Sequence, residues 1–178
     1  MEYKATLMSP EDIDRALKRI AHQIIEKNHG LDRVCLIGIR TRGVPLAKRL
    51  SRHIEVIEGV KLPVGELDIT LYRDDLSRSG DMPQVKGSKI DFSIEDMTVV
   101  LVDDVIYTSR TARAALDAIM KLGRPAKVQL CELVDRGHTE LPIRPNFVGK
   151  NIPTSVDEVV AVRLRECDDE DAVKIYIK

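Results

Sequence analysis

The chain has no tryptophan and only two phenylalanines. So few flat side chains exclude a stacking platform for single-stranded nucleic acid. Cysteine is scarce and odd in number: Cys35, Cys131 and Cys167 stand far apart, with no C-x-x-C pair. That pattern argues against a metal site or a disulfide framework, and for reduced thiols in a cytoplasmic protein. Neither sign of charge dominates, the net being -1. No global basic field therefore announces nucleic acid, and any such contact needs a local basic patch. No apolar run reaches the length of about 18 residues that a membrane span requires. The opening MEYKATLMSPED lacks the apolar core of a secretion signal. Internal repeats and low-complexity tracts are missing too.

What is there is a chain of 178 residues, 43% hydrophobic and 32% charged. Such a chain is long enough for one domain with a real core, and its composition argues against disorder. Its organising stretch is Thr98 to Arg113, TVVLVDDVIYTSRTAR. Thr98 to Val102 is β-branched or leucine throughout, as suits a strand buried on both faces of a parallel sheet. Asp103 and Asp104 follow where that strand is expected to end. Thr108, Ser109, Arg110 and Thr111 come next, and Ala112 to Leu122 reads as a helix. Ligands of open α/β sheets sit beyond the carboxyl ends of the strands, and a helix N-terminus there favours phosphate. Strand, acidic pair, hydroxyl-rich loop and helix make a candidate site for a phosphorylated sugar.

The flanking segments repeat that logic. Ser9 to Asn28 reads as a helix, with Ser9 as N-cap, Pro10 at the first position and Gly30 as the left-handed terminator. Ile13, Ala16, Leu17, Ile20 and Ile24 share one face; Arg15, Lys18, Arg19 and His22 lie opposite, with Glu11 and Glu26 at the border. Val34 to Ile39 reads as a strand, followed by Arg40-Thr41-Arg42-Gly43 and a helix through about Ile57. That loop suits a pyrophosphate or an ordinary connector equally. Val64 to Tyr72 reads as a strand, and the polar connection from Arg73 to Gly87 as a lid or a solvated loop. Ala126 to Val134 is expected to be a buried strand ending in Asp135-Arg136-Gly137-His138, with His138 a hydrogen-bonded surface residue. Leu141 to Pro153 reads as irregular. Val159 to Leu164 and Ala172 to Ile177 read as final strands around a solvated acidic turn, Glu166 to Asp171, whose spacing fits no calcium loop. Three polar loops after three strands predict a doubly wound parallel sheet with one shared crevice.

The stretch VVLVDDVIYTSRT at 99–111 resembles the phosphoribosyl-diphosphate fingerprint of the type I phosphoribosyltransferases. Joined with IGIRTRG at 37–43, LDITLYRDDL at 67–76, LVDRGH at 133–138, ELPIR at 140–144 and VGKNIPTS at 148–155, the chain resembles the bacterial group that combines pyrimidine-operon attenuation with uracil phosphoribosyltransferase activity. The resemblance implies an α/β fold of the type I class: a twisted, mainly parallel sheet flanked by helices. It implies one domain over residues 1–178 with a small hood from the N-terminal and C-terminal segments.

The same resemblance implies roles. Asp103 and Asp104 would bind the ribose hydroxyls and, with Arg73 closing from the polar connection, form the catalytic set. Thr41, Arg42 and Gly43 would hold the diphosphate. Val105, Tyr107, Thr108, Ser109, Arg110 and Thr111 would wrap the 5′-phosphate. Asp135, Arg136 and Ile152 would recognise the base. Mg2+ would be held mainly through the substrate, near Asp103 and Asp104. The reaction would convert uracil and phosphoribosyl diphosphate to UMP and diphosphate. The partners would be a leader mRNA hairpin, with UMP or UTP strengthening its binding, and a second copy in a homodimer or higher homo-oligomer, with no membrane. Lys18, Arg19, His22, Lys27, Arg144 and Lys150 would form the RNA face, although Lys18 stands where the group often has threonine and Thr139 where it often has arginine. Ser109 is the main departure, because the fingerprint usually has glycine there. Serine at positive φ is strained by about 1 kcal/mol or more, a negative φ would avoid this, and its hydroxyl offers a donor to phosphate; weaker transferase activity is expected. The alternatives are a uracil salvage enzyme without an RNA role and a nucleobase salvage enzyme acting on purines.

Overall fold

The computed structural model describes residues 1–70 and 87–178. The elements run β1 (Glu2–Met8), α1 (Pro10–Asn28), β2 (Val34–Ile39), α2 (Gly43–Glu58), β3 (Val64–Leu67), β4 (Thr98–Ile106), α3 (Arg110–Leu122), β5 (Lys127–Asp135), β6 (Phe147–Asn151), β7 (Glu158–Arg163), α4 (Arg165–Asp168) and β8 (Ala172–Ile177). Five strands form a parallel sheet in the order β3-β2-β4-β5-β6. A second, antiparallel sheet, β1-β8-β7, joins the start of the chain to its end.

The order of the large sheet places the site. From β2 the chain crosses through α2 to β3 on one side; from β4 it crosses through α3 to β5 on the other. Right-handed crossovers in opposite directions put their helices on opposite faces. The core agrees: α1 and α2 pack with Leu36, Val100 and Val102, whereas α3 packs with Ile37, Val99 and Leu101. The loops after β2 and β4 therefore diverge, and the crevice of a doubly wound sheet opens between them.

Helix α1 begins as expected. Asp12 N donates to Ser9 Oγ at 3.2 Å, and Ser9 N donates to Asp12 Oδ2 at 3.0 Å, a capping box that satisfies donors of the first turn. Its left-handed terminator is His29 (φ 51°) rather than Gly30, because His29 N already donates to Glu26 O.

Several boundaries depart from the sequence reading. Strand β4 does not stop before the acidic pair but continues to Ile106, pairing Asp103 with Glu132 and Val105 with Val134. Helix α3 starts at Arg110 rather than Ala112. Strand β3 ends at Leu67; Arg73, Tyr72 and most of the polar connection lie outside the described residues. Within the stretch read as irregular, Phe147–Asn151 is a strand beside β5. Its pattern is broken by Gly149, where a Cβ would lie 2.4 Å from Leu133 O, so only glycine lets the two backbones approach. Strand β1 gave no sequence signal because it is mostly exposed at the edge of the small sheet.

The acidic turn is only partly solvated: Glu166, Asp169 and Glu170 are exposed, but Asp168 and Asp171 are drawn inward. Arg49 of α2 donates to Glu166 Oε1 at 2.9 Å and to Asp171 Oδ1 at 2.7 Å. The Asp168 side chain is only 6% exposed and is engaged by Arg42. Cations on α2 and on the loop before it drew Asp168 and Asp171 inward, a pairing that spacing along the chain does not reveal.

Candidate active site

Loops 40–43 and 103–111 meet over the carboxyl ends of β2 and β4. Gly43 makes this possible: a Cβ there would lie 2.2 Å from Val102 O. The loop after β2 thus rests directly on the backbone of β4. Arg40 and Thr41 are joined by a cis peptide bond. Between the two segments lies a cavity of about 300 Å³. Thr41 and Arg42 line it from one loop, Asp103, Asp104 and Val105 from β4, and Thr111 from α3. Six residues chosen from separate sequence motifs line one cavity. Asp68, just beyond β3, also lines it and was missed; its carboxylate accepts from Thr70 N (3.0 Å) and Thr70 Oγ1 (2.6 Å).

The acidic pair is turned by its own backbone. Asp103 Oδ1 accepts from Asp104 N, and Asp104 Oδ1 accepts from Val105 N, each at 2.9 Å. Burial pushes the Asp104 carboxyl up, against the pull of its hydrogen bonds and of Arg42. Glu132, paired with Asp103 across β4 and β5, is 1% exposed. Its Oε2 has no hydrogen-bond partner among the described residues. Burial first, then the charges of Asp103, Asp104 and Asp135, pushes its ionisation well above the ordinary value. Sequence reasoning passed over Glu132; a glutamate inside the apolar run VQLCELV was the signal.

The phosphate-type loop has one unusual residue. Ser109 sits at φ 69°, ψ 8°, left-handed, immediately before α3. The backbone therefore keeps the conformation that favours glycine and accepts the strain. Its hydroxyl does not point to a ligand site but donates to Ile143 O at 3.1 Å, and the residue is 2% exposed. Arg110 turns outward to Glu140 Oε2 at 2.9 Å, while Glu140 N donates to Thr108 O. On the loop before α2, Arg42 donates through Nε and Nη2 to Asp168 at 3.0 and 2.7 Å. That contact raises the Arg42 pKa and holds the Asp168 carboxyl down at about 2.

The three residues expected at the base, Asp135, Arg136 and Ile152, also lie close together. Asp135 ends β5 and accepts from Gly137 N at 2.9 Å, and Ile152 N donates to Asp135 O at 2.8 Å. Arg136 is buried; it donates to Thr154 Oγ1 at 3.1 Å and Glu158 O at 2.6 Å. Its guanidinium lies 4.0 Å from the centre of the Tyr107 ring, a cation–π contact that links the loop after β4 to the end of β5. His138 Nε2 is hydrogen-bonded to Thr154 O, 2.6 Å apart.

A family model described as a phosphoribosyl transferase domain matches residues 9–166. The Bifunctional protein PyrR of Clostridioides difficile (strain 630) is 57% identical over 98% of this chain and 99% of its own length. That of Thermus aquaticus is 56% identical over 100% of this chain and 98% of its own. The chain belongs to the phosphoribosyltransferase family, among its bifunctional PyrR proteins.

Solved members of that family share the fold. A hypoxanthine phosphoribosyltransferase from Trypanosoma cruzi superposes with a TM-score of 0.77 at 20% identity, over 98% of this chain and 96% of its own. A hypoxanthine-guanine phosphoribosyltransferase from Bacillus anthracis does so at 0.76 and 22%, over 99% and 100%.

The residues chosen for an RNA face divide into two groups. Lys18, His22 and Lys27 are exposed on α1, and Arg144 is exposed ahead of β6. Arg19 instead donates to Val148 O and Gly149 O, and Lys150 donates to Leu7 O at 2.8 Å. These two side chains clamp α1 and β1 against β6. No helix among the described residues is long and apolar enough to cross a membrane.

Proposed function

We infer that this protein transfers the phosphoribosyl group of phosphoribosyl diphosphate to uracil, giving UMP and diphosphate, and that it also binds leader mRNA of a pyrimidine-biosynthesis operon to attenuate transcription in response to uridine nucleotides. The observation that carries the enzymatic reading is the single cavity that gathers Thr41, Arg42, Asp103, Asp104, Val105 and Thr111 at the switch point of the sheet.

In that reading, Asp103 and Asp104 accept hydrogen bonds from the ribose 2′- and 3′-hydroxyls. The amides of 105–111 and the N-terminus of α3 receive the 5′-phosphate. Thr41, Arg42 and Gly43 receive the diphosphate, and Arg73 closes over it. Asp135, Arg136 and Ile152 set the plane of uracil; with Arg136 tied to Thr154 and Glu158, its part is to fix the wall of the base pocket. The C1–O bond loosens through an oxocarbenium-like state while the uracil nitrogen attacks the opposite face of C1. The electron pair of that bond leaves with the diphosphate, and the proton on the attacking uracil nitrogen passes to the diphosphate or to solvent as the N–C1 bond forms. Little proton chemistry is required; alignment and control of the leaving charge are.

The hard oxygen donors Asp68, Asp103 and Asp104 suit Mg2+. No group of three or more His, Cys, Asp or Glu among the described residues is placed to hold a metal ion by itself. The site therefore fits an ion that enters on the substrate phosphates, where it supplies neutralisation of the leaving diphosphate.

Turnover with uracil, hypoxanthine, guanine and orotate at saturating phosphoribosyl diphosphate tests the reading. Uracil alone is expected to release diphosphate. Asp104→Asn combined with Arg42→Ala is expected to lower that release by about 100-fold or more, the scale of lost transition-state electrostatics. Unchanged release sinks the site assignment.

A further inference from the structure

We propose that Asp168 is a positioning residue for Arg42, holding its guanidinium side-on for the incoming diphosphate. The inference rests on the reading of Thr41–Gly43 as the diphosphate loop. Asp168 takes the Nε and Nη2 edge of Arg42 at 3.0 and 2.7 Å, which leaves Nη1 outside the bidentate contact. Arg42 at the same time lines the cavity that contains Asp103, Asp104 and Thr111. Asp168 is itself fixed: Leu164 N donates to Oδ2 at 3.0 Å and Arg163 Nη1 to Oδ1 at 3.3 Å, with the side chain 6% exposed.

A long arginine side chain on a loop carries much rotamer freedom, and ordering it on binding weakens affinity. A buried carboxylate anchored to a helical turn removes that freedom beforehand. The charge balance suits an anion as well. Arg42 and Arg163 surround one carboxylate, so the trio keeps one positive charge for a ligand. Asp168 belongs to α4, between β7 and β8, so the small sheet supplies this support to a loop of the large one. The opposite role, a carboxylate competing with the ligand for Arg42, makes a prediction of opposite sign.

The test is titration calorimetry of the full chain with Mg2+-pyrophosphate and, separately, with UMP. Asp168→Asn keeps an oxygen for Leu164 N–H but loses the charge. It is expected to weaken pyrophosphate binding about tenfold or more while UMP affinity stays within about twofold. In turnover, the KM for phosphoribosyl diphosphate rises more than kcat falls. In an Arg42→Lys background, where no bidentate hold exists, Asp168→Asn adds little further loss. Unchanged pyrophosphate binding overturns the proposal, and tighter binding overturns it in favour of competition. Parallel loss of both ligands with a lowered Tm also overturns it, because it makes Asp168 merely structural. If Asp168→Asn does not fold, Asp168→Glu carries the test, with the same selective loss expected from a carboxylate displaced by one methylene. A wild type that binds UMP but no Mg2+-pyrophosphate overturns the diphosphate reading itself, and this inference with it.

Discussion

Two residues adjoining those that line the cavity, Ser109 near Thr111 in the chain and Glu132 opposite Asp103 in the sheet, hold unfavourable states that their surroundings enforce. Ser109 stays left-handed at φ 69° although it has a Cβ, because its hydroxyl is anchored to Ile143 O and α3 starts immediately after it. A hydrogen bond of about 1 kcal/mol offsets a left-handed cost of about the same size, so serine is tolerated where glycine is usual. Glu132 is the second case. Its ordinary ionisation is at 4.5, and in the fold burial and three neighbouring carboxylates push it well above that. Between those values the folded chain keeps a proton that the unfolded chain has lost. Stability therefore falls as pH rises, by at most about 1.4 kcal/mol per pH unit for this group. Glu132→Gln keeps the shape and removes the titration. Its advantage over the wild type in urea unfolding is expected to widen from pH 5 to pH 7. A constant difference across that range means the carboxyl is not held neutral.

At the scale of elements, the short turn around α4 joins the small sheet to the large one through ion pairs. Arg49 of α2, with its side chain 18% exposed, reaches Glu166 and Asp171; Arg42 and Arg163 reach Asp168. The hydrogen bond from Arg42 holds the Asp168 carboxyl at about 2, and those from Arg49 and the Arg165 backbone outweigh burial to keep Asp171 below its ordinary 3.8. Depressed carboxylates contribute stability above the unfolded value and lose it as pH falls through the folded one. The window for this joint is therefore below pH 3.8, down to about 2 for Asp168. Arg49→Met takes a bidentate partner from Glu166 and a cation from Asp171, and is expected to cost about 2 kcal/mol, less than a fully buried pair. Hydrogen exchange locates the effect: β7 and β8 should lose protection before β4 and β5. Uniform loss across both sheets means that α4 is no separate joint.

At the scale of the whole molecule, the proposed function has the enzyme and the regulator share one nucleotide site. With a net charge of -1, RNA phosphates have only local patches to meet. Lys18, His22 and Lys27 on α1 offer one, and the proposed dimer would double it. We expect UMP to tighten binding of a leader hairpin in salt-dependent gel shifts, and the hairpin to tighten UMP by the same factor, as linkage requires. Lys18→Ala with Lys27→Ala should lower the salt slope by about 2 without moving uracil turnover. Binding indifferent to UMP, or an unaltered slope, counts against that face.

The sequence by itself determined the alternating strand–helix units, the acidic pair at Asp103–Asp104 and the three polar loops, because apolar periodicity and turn residues are local signals. It also brought Thr41 and Arg42 beside Val105 and Thr111, since a doubly wound sheet allows them one crevice. Tertiary structure alone decided which charges are occupied. Asp168 lies 126 residues from Arg42, and Glu132 meets Asp103 only through strand register. Arg19 and Lys150, read as RNA contacts, are exposed and also hold backbone carbonyls of β6 and β1. A side chain's residue type is written in the chain. Whether its charge faces solvent, a partner or a buried neighbour depends on packing between segments that only the fold brings together.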